Sequence, residues 1–242
     1  MKSFITVITS ASMVAANFDN MENQFQKLIA ESMNDSMPTM NDFRGIGPIS
    51  TSLSAINGYG CWCYFADDHG KGHGTPQNRM DEICKTLHDG YECAILDESD
   101  ANESCEPWTV EYTGTTTLGG VTQEVVTECE IKNANDCSVR ACVIENNFIL
   151  SVFAEYLSGS IFDPSKKHEF GFDTSECVSV SGLGGNGDSE EYVKEKACCG
   201  SYPQRYPFMH VNGHRACCGE KTYSTTTYQC CEEDNEIRYS CI

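Results

Sequence analysis

The chain has 242 residues, 16 of them cysteine, and its formal net charge is −20 at pH 7. Because so acidic a surface repels phosphate groups, the composition disfavours a nucleic-acid partner. The cysteines form one C-x-C motif and three adjacent pairs rather than repeated C-x-x-C pairs, which favours disulfides in an oxidising compartment over zinc thiolates. All of them are disulfide candidates: Cys61, Cys63, Cys84, Cys93, Cys105, Cys129, Cys137, Cys142, Cys177, Cys198, Cys199, Cys217, Cys218, Cys230, Cys231 and Cys241.

Residues 1–16 have the pattern of a secretory signal peptide. Lys2 precedes a short, mostly apolar stretch, and small residues at Val14 and Ala16 predict cleavage after Ala16. A buried N-terminal helix is the alternative interpretation. No later stretch reaches the roughly 18 apolar residues that a membrane span needs. We therefore expect a secreted, extracellular protein without a transmembrane segment.

Three helices and one hairpin are predicted along the chain, which gives a fold of the α+β class that is mainly α. Apolar residues recur at helical spacing over 17–36 and 136–157, and 80–95 also has helical character. Residues 108–128 predict a small hairpin that turns at Gly119-Gly120.

The C-terminal part has a different composition. A glycine-rich stretch at 182–187 is a candidate boundary, and we expect one domain over 17–163 and a cysteine-pair module over 176–242. Ala197-Cys-Cys-Gly200 recurs as Ala216-Cys-Cys-Gly219, and a third cysteine pair follows. Adjacent cysteines rarely bridge each other, because the bond geometry fits poorly across one peptide unit. Each pair is therefore expected to join two neighbouring segments.

The segment that points to chemistry combines Tyr59-Gly-Cys-Trp-Cys63 with Gly70-Lys-Gly-His-Gly-Thr-Pro76 and the helical run Asp81–Asp89. Glycine tolerates strained dihedrals, so such a loop can direct several backbone carbonyls at one point. Carbonyl oxygens and one carboxylate are suitable ligands for Ca²⁺. The adjacent His88 and Asp89 would supply a base and a metal ligand side by side.

This segment resembles the calcium loop and active-site helix of secretory phospholipase A2, and a looser similarity extends over residues 20–157. The resemblance implies Ca²⁺-dependent hydrolysis of the sn-2 ester at a phospholipid surface, with Ca²⁺ as the cofactor. It also implies two long antiparallel helices, a calcium loop and a small hairpin. The implied roles are a general base at His88, a calcium-binding carboxylate at Asp89, calcium-binding carbonyls at Trp62, Gly70 and Gly72, and a carboxylate at Glu145 that orients the histidine.

The same resemblance implies disulfides between Cys63 and Cys84, and between Cys93 and either Cys142 or Cys137. The chain also departs from the family pattern. Residues 64–69 are inserted in the loop, and Gly90 is expected to loosen the helix just after the histidine.

The cysteine-pair tail predicts a second function. Over about residues 197–231 it is similar to the repeats of galaxin-like extracellular matrix proteins. This favours a catalytically silent matrix or surface protein on a phospholipase A2-like scaffold. Such a protein would contact matrix proteins, or other copies of itself, through its disulfide-linked C-terminal module.

Overall fold

The computed structural model of the chain describes residues 10–34, 52–65, 70–101, 103–114, 116–119, 124–127, 129, 136–158, 163–177, 198–211, 214–231 and 233–241. The α-helices are α1 (Ser10–Asn34), α2 (Arg79–Asp100) and α3 (Asp136–Ser158). Helix α1 includes Ala16, and the predicted cleavage there stays a prediction. Together with small sheets, these helices confirm the predicted α+β class.

The strands form two-stranded antiparallel sheets. The pairs are β1 (Thr116–Gly119) with β2 (Glu124–Thr127), β3 (Cys198–Cys199) with β4 (Tyr206–Pro207), β5 (Arg215–Cys218) with β6 (Lys221–Ser224), and β7 (Gln229–Cys231) with β8 (Glu236–Arg238). The sheet β1–β2 confirms a hairpin within 108–128. Its first strand begins later than Trp108, however, because residues 107–109 form a turn. Gly120 lies outside the described residues.

The chain divides into two compact units, each made of separate stretches of sequence. Unit 1 comprises Met1–Asn57, Tyr64–Lys71 and Glu106–Phe162. Unit 2 comprises Gly58–Cys63, Gly72–Cys105 and Asp163–Ile242. The domain boundaries expected from the sequence stay predictions.

The core of unit 1 forms where α1 packs against α3. Each helix buries apolar residues spaced three and four apart, so they share one face. Phe65 lies between the two helices, with its ring centroid 5.4 Å from that of Phe18 and 5.5 Å from that of Phe148. The buried apolar side chains of this face are Met21, Phe25, Leu28, Ile29, Phe148, Ile149, Val152 and Phe153.

Helix α3 is the one helix in the described part of the chain that is long and apolar enough to cross a membrane. Its most apolar 18-residue window has a mean hydropathy of 1.3, and half of that window is buried inside the protein. A core helix meets the same criteria, so the expectation of no transmembrane segment stays a prediction.

In unit 2, the buried side chain of Asp81 holds the segment before α2 against the first turn of this helix. Its carboxylate accepts hydrogen bonds from the backbone N–H groups of Cys61 at 2.9 Å, Trp62 at 2.7 Å and Gln77 at 2.8 Å. Burial raises the pKa of Asp81 above its ordinary value, although these donors act in the opposite direction. A Cβ atom at Gly60 would lie 2.4 Å from this carboxylate, so only glycine fits there.

Helix α2 runs without interruption through Gly90, and the expectation that this glycine loosens the helix stays a prediction. Gly90 is buried within the helix. The helix also continues beyond the predicted end at residue 95. Its last turns are stabilised by Arg205, which binds Asp97 and Asp100.

The disulfides link the tail to α2 and then link its sheets in order. The bonds are Cys93–Cys198, Cys199–Cys217, Cys218–Cys230 and Cys231–Cys241. The two members of each adjacent pair bond to different segments, which confirms that prediction. All sixteen cysteines lie within the described residues, and none is a free thiol.

Outside the tail, the predicted bond between Cys63 and Cys84 is confirmed. The predicted partners of Cys93 are wrong, because Cys93 bonds to Cys198 and Cys142 bonds to Cys129. The physical reason is that β3 and β4 pack on α2 and bring Cys198 to within a Cα–Cα distance of 5.6 Å of Cys93.

We expect Gly60→Ala to lower the free energy of unfolding by about 3 kcal/mol or more, and Gly171→Ala by about 1–2 kcal/mol. Both glycines have a positive φ, +59° and +94°, so alanine strains the backbone at each. At Gly60 the new Cβ also collides with Asp81, whereas at Gly171 it meets no atom within 4 Å. Urea unfolding under non-reducing conditions measures both losses, and equal losses would contradict the role of Asp81.

Candidate functional site

The side chain of His88 lies in the middle of α2 and is 7% exposed. Its Nε2 atom is 2.9 Å from the backbone carbonyl oxygen of Trp62. Because a carbonyl only accepts, Nε2 donates the proton and, in the neutral ring, Nδ1 is the acceptor nitrogen. The indole ring of Trp62 also packs beside the imidazole at a centroid distance of 6.0 Å. Trp62 therefore sets both the orientation and the tautomer of His88.

Asp89 follows His88 and is paired with a lysine. Its Oδ2 atom lies 2.5 Å from Nζ of Lys85, one helical turn earlier. Burial raises the pKa of Asp89 above its ordinary value, and the charge of Glu92 adds to this, while Lys85 opposes it. The same ammonium lies 5.1 Å from the centroid of the Trp62 ring, within cation–π range. Lys85 thus supplies a positive charge between Asp89 and Trp62.

The two predicted calcium-binding glycines, Gly70 and Gly72, have different surroundings. Gly72 packs on Trp62, since a Cβ there would lie 2.7 Å from the indole ring. The indole is fixed at its other end by a hydrogen bond of 2.9 Å from Nε1 to the carbonyl oxygen of Gly74. Gly70 is exposed, has a φ of +87° and belongs to unit 1. Residues 66–69 of the inserted loop lie outside the described residues.

Two of the predicted calcium ligands already have partners within the protein. Asp89 is the only carboxylate of the predicted ligand set, and it already has an ammonium partner that would repel Ca²⁺. The carbonyl oxygen of Trp62 already accepts from His88. Within the residues that the structure describes, no cluster of three His, Cys, Asp or Glu side chains could hold a metal. Calcium binding stays a prediction, and the ammonium of Lys85 is the group that would oppose it.

Glu145 lies on α3 in unit 1 and is completely buried. Its Oε2 atom accepts a hydrogen bond of 2.5 Å from the hydroxyl of Tyr112. Burial, together with the negative charge of Glu145, raises the pKa of Tyr112. Tyr112 therefore stays a neutral donor at physiological pH. The predicted role of Glu145 towards His88 stays a prediction.

Sequence reasoning missed the groups of the tail that bind α2. The Nη1 atom of Arg205 lies 2.7 Å from both Asp97 Oδ1 and Asp100 Oδ2, and its backbone N–H donates to Asp97 Oδ2 at 3.0 Å. Nearer the start of the helix, the backbone N–H of Val211 donates to Glu82 Oε1 at 2.7 Å. The sequence did carry a signal, because polar side chains and one cysteine recur every three or four residues along one face of α2. This spacing does not identify the segment that binds there. The residues are Glu82, Lys85, Asp89, Cys93, Asp97 and Asp100.

His210 belongs to the same part of the tail. Its ring packs against Phe208 at a centroid distance of 4.4 Å. Burial, reinforced by the charge of Lys85, lowers the pKa of His210 to about 4. The side chain is therefore neutral at pH 7 and adds no positive charge beside Lys85.

No protein-family model matches the chain, and no curated protein is significantly similar to it. The resemblance to secretory phospholipase A2 therefore rests on the motif residues themselves.

We expect Lys85→Met to strengthen cation binding at this site, because Asp89 loses its ammonium partner. Terbium luminescence sensitised by tryptophan should show saturable binding, competed by Ca²⁺, at least tenfold tighter than in the native protein. Lys85→Arg, which keeps the charge, should not gain this binding. Adding Asp89→Asn to Lys85→Met should abolish it. Saturable binding by the native protein that Asp89→Asn removes would contradict the interpretation.

We expect acid to destabilise the protein partly through His210. Its pKa is about 4 when folded and 6.5 in the unfolded reference, so the unfolded chain binds more protons between these values. The contribution of His210 to the free energy of unfolding is fully present above pH 6.5. It decreases by about 1–3 kcal/mol as the pH falls to 4. His210→Phe keeps a ring and cannot be protonated. Its free energy of unfolding should fall less between pH 7 and pH 4, whereas identical pH dependence would contradict the assignment.

Proposed function

We propose that the protein is a secreted extracellular structural protein, built on a phospholipase A2-like scaffold, that does not hydrolyse phospholipids. The observation that supports this best is the series of disulfides from α2 through the three sheets of the tail. In each adjacent cysteine pair, one cysteine bonds to an earlier segment and the other to a later one. Disulfides therefore connect each hairpin of the tail to the next.

The tail uses these bonds where a larger domain would use an apolar core. Within the described residues of the tail, the buried apolar side chains are few and include Phe208 and the cysteines Cys198, Cys199, Cys218 and Cys231. The last three disulfides close sequence separations of 18, 12 and 10 residues. Small domains with limited cores depend on cross-links of this kind. Rigidity of this kind suits a matrix or surface role, with matrix proteins or other copies of the chain as partners.

The environment of His88 and Asp89 supports the same proposal. The imidazole is almost completely buried and bound to a backbone carbonyl, and the aspartate is neutralised by Lys85. In this arrangement each polar group has a partner within the protein. The His-Asp pair then stabilises the contact between α2 and the Cys61–Cys63 segment.

Hydrolysis of a phospholipid sn-2 ester is the second candidate, and one observation favours it. The hydrogen bond from Nε2 of His88 to Trp62 leaves Nδ1 as the basic nitrogen, the tautomer that a general base needs to take a proton from water. The bond Cys63–Cys84, which the family resemblance implies, holds the Trp62 segment beside α2. Here Trp62 would act as the positioning residue for the base.

Fatty-acid release from phosphatidylcholine vesicles separates the two candidates. We expect the intact, oxidised protein to release no more fatty acid than His88→Gln does, with millimolar Ca²⁺ or with chelator, because Asp89 is paired with Lys85. The His88→Gln protein, checked for the same unfolding midpoint, is the control for contaminating lipases.

Release that depends on both His88 and calcium would overturn the structural proposal and establish the hydrolase. Release that depends on His88 but survives chelation would establish a metal-independent esterase, which also overturns it. Equal, background-level release from both proteins supports the structural role.

A further inference from the structure

Two tyrosines face each other at the end of the last sheet of the tail. Tyr228 immediately precedes β7 and Tyr239 immediately follows β8. The strand register pairs Gln229 with Arg238, so the two tyrosines are the next cross-strand pair. Their ring centroids are 4.7 Å apart with an interplanar angle of 36°, and the hydroxyl of Tyr228 donates to that of Tyr239 at 3.3 Å.

Packing alone accounts for only part of this arrangement. A cross-strand aromatic pair stabilises a hairpin modestly, which explains the ring contact. Packing does not explain why the pair lies at the protein surface, where the side chain of Tyr239 is 74% exposed. Two rings with adjacent hydroxyls also have their ortho carbons close together, at a position that a solvent oxidant can reach.

We propose that Tyr228 and Tyr239 are a site of oxidative cross-linking, at which a carbon–carbon bond forms between the ring positions ortho to the hydroxyls. The oxidant is hydrogen peroxide, used by an extracellular haem peroxidase. Each phenol gives up one electron and one proton to become a phenoxyl radical. The two radicals couple, both rings regain aromaticity by shifting the ortho hydrogens to oxygen, and the peroxide is reduced to two waters.

The surrounding disulfides favour coupling within one chain. Cys218–Cys230 fixes β7 close to Tyr228, and Cys231–Cys241 fixes the chain just after Tyr239. Because the two rings are held together before oxidation, their coupling avoids the entropy of a bimolecular encounter. The inference rests on the proposed extracellular structural role, since the product would be a cross-link that survives reduction of the disulfides.

The full oxidised chain is treated with horseradish peroxidase and hydrogen peroxide, then reduced, alkylated and digested with trypsin. Cleavage after Lys221 and Arg238 separates residues 222–238 from residues 239–242, so a tyrosine bond rejoins two peptides that are otherwise distinct. We expect mass spectrometry to find the joined peptides, lighter by two hydrogen atoms than their sum, together with the blue fluorescence of a biphenol.

Tyr228→Phe and Tyr239→Phe should each lower the yield at least tenfold. Tyr202→Phe is the matched control, because Tyr202 is 50% exposed in the first hairpin of the tail, and its loss should leave the yield unchanged.

Absence of the joined peptides overturns the proposal, as does an unchanged yield in Tyr239→Phe. Coupling found only between two copies, seen as a dimer on a reducing gel, also overturns it. None of these results alters the fatty-acid assay, so failure of the cross-link and failure of the proposed function are distinguishable.

Discussion

The buried carboxylate of Asp81, with its three backbone N–H donors, determines where the Cys61–Cys63 segment lies on α2. A buried N–H group without an acceptor costs about 1–3 kcal/mol, so this one side chain satisfies groups that would otherwise oppose burial. Its contact with Gly60 is so close that no side chain fits there. The imidazole of His168 completes this region, with Nε2 2.7 Å from the carbonyl oxygen of Gly60.

Once Asp81 has fixed Trp62, that residue organises two chemically different groups. Its carbonyl oxygen binds the imidazole of His88, and its ring lies under the ammonium of Lys85. Lys85 in turn neutralises Asp89. Removing one member of a buried ion pair leaves an uncompensated charge, which costs more than the pair itself contributes. His88 and Asp89 therefore have a structural role that does not depend on a catalytic one.

Much of the secondary structure was predictable, because it follows from local periodicity. Helix α3 begins and ends within a residue of its predicted bounds, and the bonding of adjacent cysteines follows from disulfide geometry alone. The partner of Cys93 was not predictable, since it depends on tail strands that lie 105 residues further along the chain. Lys85 was visible four residues before Asp89 and could have been proposed as its ion pair. The family resemblance implies a metal ligand at Asp89 instead.

The bonds of the tail follow one another along the chain and do not enclose one another. Closing a loop of this length costs less entropy than closing a longer one, although the cost rises only slowly with the number of residues. Each correct thiol partner is therefore among the nearest in sequence when the segment leaves the ribosome. Oxidation can advance hairpin by hairpin towards the C-terminus, and an additional hairpin with its own cysteine pair could extend the series without disturbing the bonds before it.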